Sequence, residues 1–192
     1  MNGVPLSRWI TFWSLAIVGC ALDLASKHWM FDWLGMPGGR PYWIVDGIFG
    51  FETSLNDGAL FGLGKGKVLW FAGLSVIAAI GINYWLFVAR AALDRWLTVA
   101  LGCIMGGVLG NLYDRLGLWA PAGLDPAYAH AVRDWILFRY GEWTWPNFNL
   151  ADSFLVCGAG MLCWHALRTE LVQRKASAQA NDSAGEQRIA GA

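Results

Sequence analysis

Val68-Leu-Trp-Phe-Ala-Gly-Leu-Ser-Val-Ile-Ala-Ala-Ile-Gly-Ile-Asn-Tyr-Trp-Leu-Phe-Val-Ala89 runs for 22 residues without an Asp, Glu, Lys, Arg or His. As a helix rising ~1.5 Å per residue, it is long enough to cross a hydrocarbon core of ~30 Å. Three more stretches fit the same template: Trp9–Trp29, Trp96–Tyr113 and Leu150–Leu167. Lipid offers backbone N–H and C=O groups no partners, so a spanning segment is a helix or part of a closed barrel, and four segments are too few to close one. The chain therefore reads as an all-α membrane protein with four transmembrane helices. Gly102, Gly106 and Gly110 in the third span form a small-xxx-small row that lets another helix approach closely.

Composition agrees. Charged residues make up 15% of the 192-residue chain, against about 25% in soluble domains. Counting glycine but not tyrosine, about two thirds of the chain is apolar, against about 45–50% for a soluble domain. A water-soluble enzyme is excluded. Fourteen basic residues balance fourteen acidic ones, which leaves no basic footprint for nucleic acid.

The connections carry more character than the spans. Met30–Lys67 alternates apolar and turn residues (Ile44, Val45, Ile48, Phe49, Phe51, then Asn56-Asp57-Gly58) and reads as short strands and turns. Arg90–Arg95 is a tight turn. Asp114–Asn149 opens with a Pro/Gly-rich piece and continues as Ala127–Tyr140, where Tyr128, Ala131, Val132, Trp135 and Ile136 share one helical face. That spacing predicts a helix lying along the membrane interface. Residues 1–172 form one membrane-embedded domain, and the polar 173–192 tail is expected to be disordered.

The fourteen basic residues divide seven against seven between the two sides. Their density breaks the tie. Arg90 and Arg95 crowd the short turn, and Arg168, Arg174 and Lys175 follow the last span closely, which places both termini in the cytoplasm. Ile17-Val18-Gly19-Cys20 has the form of a lipid-modified cleavage box, but a cut there would destroy most of the first span. Cys20, Cys103, Cys157 and Cys163 all lie within spans and read as packing residues. The three His have no ligand spacing, so no metal or cofactor is expected. Trp9, Trp29, Trp70, Trp96 and Trp164 near span ends form an interfacial belt.

The polar residues converge. Asp23 and Lys27 lie toward the exit of the first span, Asn111, Asp114 and Arg115 at the exit of the third, and Asn147, Asn149 and Asp152 at the entrance of the fourth. In alternating spans these ends share one membrane side. Asp23 lies 14 residues after Trp9, about 21 Å along a helix and still inside the hydrocarbon. A charge there costs at least ~2.5–3.5 kcal/mol unless it faces protein or water. Ion pairing of Asp23 with Lys27, topology anchoring by Asp114 and Arg115, and helix-dipole compensation by Asp152 explain each group singly. Anchoring does not require three carboxylates and three Asn on one side.

Two carboxyl groups held about 3 Å apart share one proton and can hydrolyse an amide, the charged one drawing a proton from water and the neutral one polarising the carbonyl. No serine elbow, His-Glu-x-x-His helix or phosphate loop competes. Spacing leaves open which two of Asp23, Asp114, Asp134 and Asp152 form such a pair.

Five elements, in order along residues 9–172, resemble the signal peptidase II family. They are Asp23-Leu-Ala-Ser-Lys27; Asn56-Asp57-Gly58-Ala59-Leu60-Phe61-Gly62; Gly106-Gly107-Val108-Leu109-Gly110-Asn111-Leu112-Tyr113-Asp114-Arg115; Val132-Arg133-Asp134-Trp135; and Phe148-Asn149-Leu150-Ala151-Asp152-Ser153. The resemblance implies four membrane helices, a small extracytoplasmic β-cradle and a mobile interfacial helix. It also implies an aspartic endopeptidase of the bacterial inner membrane, active near the outer leaflet. Such an enzyme removes signal peptides from prolipoproteins just before the diacylglyceryl-modified cysteine, with lipidated precursors and membrane lipids as partners and no cofactor. By motif it assigns catalysis to Asp134 and Asp152, with Asp23, Lys27, Asn56, Gly58, Asn111, Asp114, Arg115 and Asn149 supporting. The sequence departs from the family pattern in a long 116–130 stretch, in Arg133 and Trp135 flanking Asp134, and in Asp57 beside Asn56. From other classes, a small transporter or proton-coupled permease component would need ionisable groups near the bilayer midplane and access from both sides, and an anchoring subunit would use the carboxylates for partner capture alone.

Overall fold

The computed structural model describes residues 3–58 and 67–190, so Ala59–Gly62 of the second motif and Lys65 lie outside the described residues. In chain order the elements are α1 (Leu6–Leu34), β1 (Tyr42–Val45), β2 (Phe49–Asn56), α2 (Val68–Asn83), α3 (Arg95–Arg115), β3 (Val132–Tyr140), β4 (Trp143–Phe148) and α4 (Leu150–Ala190). A π-helical turn, Tyr84–Val88, completes the second span, and Arg90 in the left-handed region (φ 65°) turns the chain into a short 3₁₀ segment. All four expected spans are present, and α1 and α4 run beyond the predicted ends.

The lipid-facing surface is plain from exposure. Leu69, Trp70, Ile77 and Ile80 of α2 all point outward, and Trp9, Trp29 and Trp96 are exposed near helix ends, as a belt requires, while Trp164 is exposed along the body of α4. Helix α3 is the hub: 56% of its apolar window is buried, against 22% or less in the other three. Its glycine row sets the approach to α1. A Cβ on Gly106 would stand 3.2 Å from the Cα of Gly19, and Gly102 meets Leu15 and the Phe12 carbonyl. A side chain at Gly110 would overlap Asp23 Oδ2, so only glycine leaves room for that carboxylate. Asp94 caps the other end of α3, accepting from the N–H groups of Trp96 (2.7 Å) and Leu97 (3.3 Å).

Beside one end of the bundle, the four strands form an antiparallel sheet in the order β1-β2-β3-β4. Met30 from α1 packs with Trp135 and Ile136 under the sheet, joined by Phe49, Phe51 and Phe148. The short strands expected in Met30–Lys67 are β1 and β2.

Three expectations need correction. The helix predicted over Ala127–Tyr140 is a set of turns followed by strand β3. β3 is central, paired with β2 and β4, and its first six residues are all buried. A strand covered on both faces loses the period-two signal, so the run Val132–Leu137 imitates a helical stripe. The polar tail is also helical, since α4 continues to Ala190. Its Ala, Gln, Glu and Arg content favours helix even without an apolar face. Cys157 and Cys163 face outward rather than into the packing.

Candidate active site

Lys27 organises the buried polar core. It is fully buried, and its ammonium reaches Asp23 Oδ2 at 2.7 Å, Asn111 Oδ1 at 2.9 Å and Asp114 Oδ2 at 3.2 Å. An ammonium has three N–H donors, and these three acceptors use them all. Asp23 sends its other oxygen to the backbone N–H of Ala151 (2.9 Å), tying α1 to the first turn of α4. Asp114 is occupied on its far side. Its oxygens accept from the Arg133 guanidinium (Nη2 2.8 Å, Nε 3.2 Å) and from the Arg133 backbone N–H (3.0 Å). Of the four candidate carboxylates, these two are therefore neutralised within the helix bundle.

Asp134 and Asp152 are held differently. Among the described residues neither makes an ion pair, and their partners are neutral amides. Asn149-Leu150-Ala151-Asp152 begins α4 as a reciprocal capping box: Asp152 N–H donates to Asn149 Oδ1 (3.0 Å), and Asp152 Oδ2 accepts from the Asn149 N–H (3.3 Å). That arrangement frees the Asn149 amide to donate to Asp134 Oδ1 at 2.6 Å. One asparagine thus links a carboxylate on β3 to another on α4. Asn111 Nδ2 donates to Asp152 Oδ1 (2.9 Å), and Asn56 Nδ2 donates to Asp134 Oδ2 (3.2 Å). Asn56 is itself oriented by the Gly58 N–H on its carbonyl oxygen (3.0 Å), a local turn that accounts for the glycine two residues on.

The two acids differ in environment. Asp134 is 1% exposed, and burial first, then the neighbouring charge of Asp152, push it up to about 8. Lys27 and the amides of Asn56 and Asn149 pull the other way and do not offset the loss of water. Asp134 is accordingly protonated at neutral pH. Asp152 is half-buried at the amino end of a long helix and accepts from two N–H groups. These surroundings suit a negative charge. A buried carboxyl thus stands beside a half-buried one, and unequal surroundings of this kind suit general acid–base hydrolysis of an amide.

Ten site residues were expected from sequence, and nine of them join this network. Arg115 stands at its edge, with its guanidinium 5.9 Å from the centre of the Phe71 ring and its Nε buried with no hydrogen-bond partner among the described residues. Asn147 converged with the site on paper, but its amide turns to Glu52 on β2. Sequence reasoning missed the roles of Arg133 and Trp119. Arg133 registered only as a departure from a motif, and the usable signal was a basic residue one step before an acid on an apolar strand, where successive side chains face opposite ways. Among the described residues, no group of three or more His, Cys, Asp and Glu side chains is placed to hold one metal ion.

Known proteins resemble this chain in sequence and fold. The family model described as signal peptidase (SPase) II matches residues 15–168. A lipoprotein signal peptidase of Rhodopirellula baltica is 56% identical over 160 residues, covering 82% of this chain and 72% of that one. The lipoprotein signal peptidase of Chromobacterium violaceum is 32% identical over 156 residues, covering 80% and 89%. Among solved structures, a bacterial membrane enzyme determined by the in meso method at 1.9 Å resolution gives a TM-score of 0.65 at 25% identity, covering 82% of this chain and 92% of that one. A second bacterial membrane enzyme, determined in meso at 2.3 Å, gives a TM-score of 0.69 at 23% identity over 82% and 88% and shares the fold.

Proposed function

The chain belongs to the signal peptidase II family, aspartic peptidases that cleave the signal peptides of prolipoproteins, and from that premise we propose that Asp134 and Asp152 are the catalytic pair. The observation that carries the assignment is the division of the carboxylates. Asp23 and Asp114 are consumed by Lys27 and Arg133, whereas Asp134 and Asp152 share Asn149 and keep their chemistry free.

The reaction follows from their unequal environments. Asp152 takes a proton from a water lying between the two carboxyls, and the resulting hydroxide adds to the scissile carbonyl carbon while Asp134 gives its proton to the carbonyl oxygen. The tetrahedral intermediate then collapses. Its C–N bond breaks, Asp152 passes its proton to the leaving nitrogen, and Asp134 recovers a proton from the gem-diol oxygen. Atoms and charge balance, and both acids return to their starting states. The remaining site residues hold the pair: Asn149 spaces the acids, Asn111 and Asn56 orient them, and Lys27 with Asp23 and Asp114 fastens α1, α3 and α4 together beneath.

The substrate is a diacylglyceryl-modified prolipoprotein, cut directly before the modified cysteine. The protein is a multi-pass bacterial membrane protein with both termini in the cytoplasm and its carboxylates near the outer leaflet. Lipid chains on the substrate would partition beside the exposed apolar helix faces and bring the scissile bond to the depth of the acids. Incubating the purified protein with a lipidated precursor, with and without Asp152→Asn, and weighing the products tests the reading. The wild type gives a single cut before the lipid-bearing cysteine and the variant gives none. A cut elsewhere, or undiminished cutting by the variant, rejects it.

A further inference from the structure

We propose that Arg133 is a positioning residue for Asp134, through which the 116–131 segment between α3 and β3 tunes the reaction. This rests on Asp134 being catalytic. The guanidinium is clasped between two groups: Asp114 takes it with a two-pronged contact (2.8 and 3.2 Å), and the Trp119 ring lies 5.0 Å from it on centre. Trp119 is anchored in turn. Its indole N–H donates to the Ala131 carbonyl (3.0 Å), and its ring meets Phe31 of α1 edge to face at 6.1 Å. The His130 ring nitrogen lies 3.0 Å from the Arg115 carbonyl oxygen, which closes the segment back on the end of α3.

The peptide of Arg133 is gripped at both ends. Its N–H donates to Asp114 Oδ2 (3.0 Å), and its carbonyl accepts from the Asn149 amide (3.4 Å), the same amide that holds Asp134. The next residue is Asp134, whose side chain leaves the opposite face of the strand. Arg133 is 5% exposed. A buried guanidinium is costly to desolvate, and a strand needing only stability is served as well by an apolar side chain. A planar fork stacked on an aromatic ring sets direction as well as charge, and lysine does not reproduce it. The 116–131 segment thus presses on the backbone that carries the acid, through Trp119 and Arg133.

The test uses the full chain with a lipidated precursor and three variants: Arg133→Met, Arg133→Lys and Trp119→Leu. Misplacing a reacting group by about 1 Å costs up to ~100-fold in rate. Arg133→Met is therefore expected to lower kcat by about 10- to 100-fold with KM within about twofold. The charges facing Asp134 are those of Asp152 on α4, Lys27 on α1 and Arg115 on α3, with the ion pair of Asp114 on α3 and Arg133 on its own strand beside them. Without the guanidinium, the charge of Asp114 is less covered and Asp134 holds its proton more tightly, so the alkaline fall in kcat moves to higher pH. Arg133→Lys restores that limb while leaving kcat below wild type. Trp119→Leu, which keeps both charges, lowers kcat several-fold with the limb unmoved, and it decides the matter if Arg133→Met fails to fold. Wild-type kcat in both Arg133→Met and Trp119→Leu, or a loss confined to KM or thermal stability, overturns the proposal. Asp134→Asn runs alongside: if it cleaves normally, the catalytic assignment fails rather than the positioning.

Discussion

Replacing Asp134 by Asn removes a proton from the reaction and a pH-dependent burden from the fold, and the two effects have opposite signs. General acid–base partners contribute about 10²–10⁴-fold, so the variant should lose at least that factor in cleavage, roughly 3–5 kcal/mol of transition-state stabilisation. Stability behaves otherwise. Asp134 is held in the folded protein at about 8, whereas an unfolded aspartate loses its proton near ~4. Between those values the unfolded chain binds fewer protons, so wild-type stability falls as pH rises from about 4 towards 8 and levels off above. A separation of about four pH units at ~1.4 kcal/mol each puts the whole effect on the order of 5 kcal/mol. Asn does not titrate, so the variant should lack this slope and gain on the wild type as pH rises from 5 to 8. Thermal unfolding in detergent micelles at a series of pH values, paired with precursor cleavage, measures both. The wild-type rate itself should fall as pH rises through about 8, where Asp134 gives up its proton. Cleavage by Asp134→Asn within tenfold of wild type, or a stability slope identical in both proteins, refutes the reasoning.

Three further outcomes follow from the same network. Lys27→Met strands Asp23 with a single backbone donor and should cost about 3–5 kcal/mol, read as a lowered unfolding midpoint and loss of inserted protein. Gly110→Ala forces a methyl group into Asp23 Oδ2 and should cost about 1–3 kcal/mol by overpacking, with activity falling alongside thermal stability. Asn149→Ala removes the α4 cap, worth about 0.5–2 kcal/mol. It also removes a donor that favours the charged form of Asp134, so the alkaline limb of the cleavage profile should move to higher pH.

The spans were legible because hydropathy is additive along a helix and asks nothing of the rest of the chain; Val68–Ala89 reads as a span from its own residues. The gathering of Asp23, Lys27, Asn111, Asp114, Asn149 and Asp152 was legible too, since the parity of alternating spans brings those ends to one side. The Gly102, Gly106 and Gly110 row was visible as a close-packing face, but that Gly110 makes room for Asp23 was not. β3 misled because a strand buried on both faces carries no alternation, and its partners β2 and β4 flank it from opposite directions in the chain.

By itself, then, the sequence determined how many times this chain crosses the membrane and which polar groups share a side, because both depend only on local composition and the order of the segments. Tertiary structure alone decided which of the candidate acids are taken up by ion pairs. Lys27 meets Asn111 across 84 positions, Ala151 meets Asp23 across 128, and Arg133 meets Asp114 across 19. Whether a carboxylate is free or already neutralised is set by such distances in space, and no spacing along the chain encodes them.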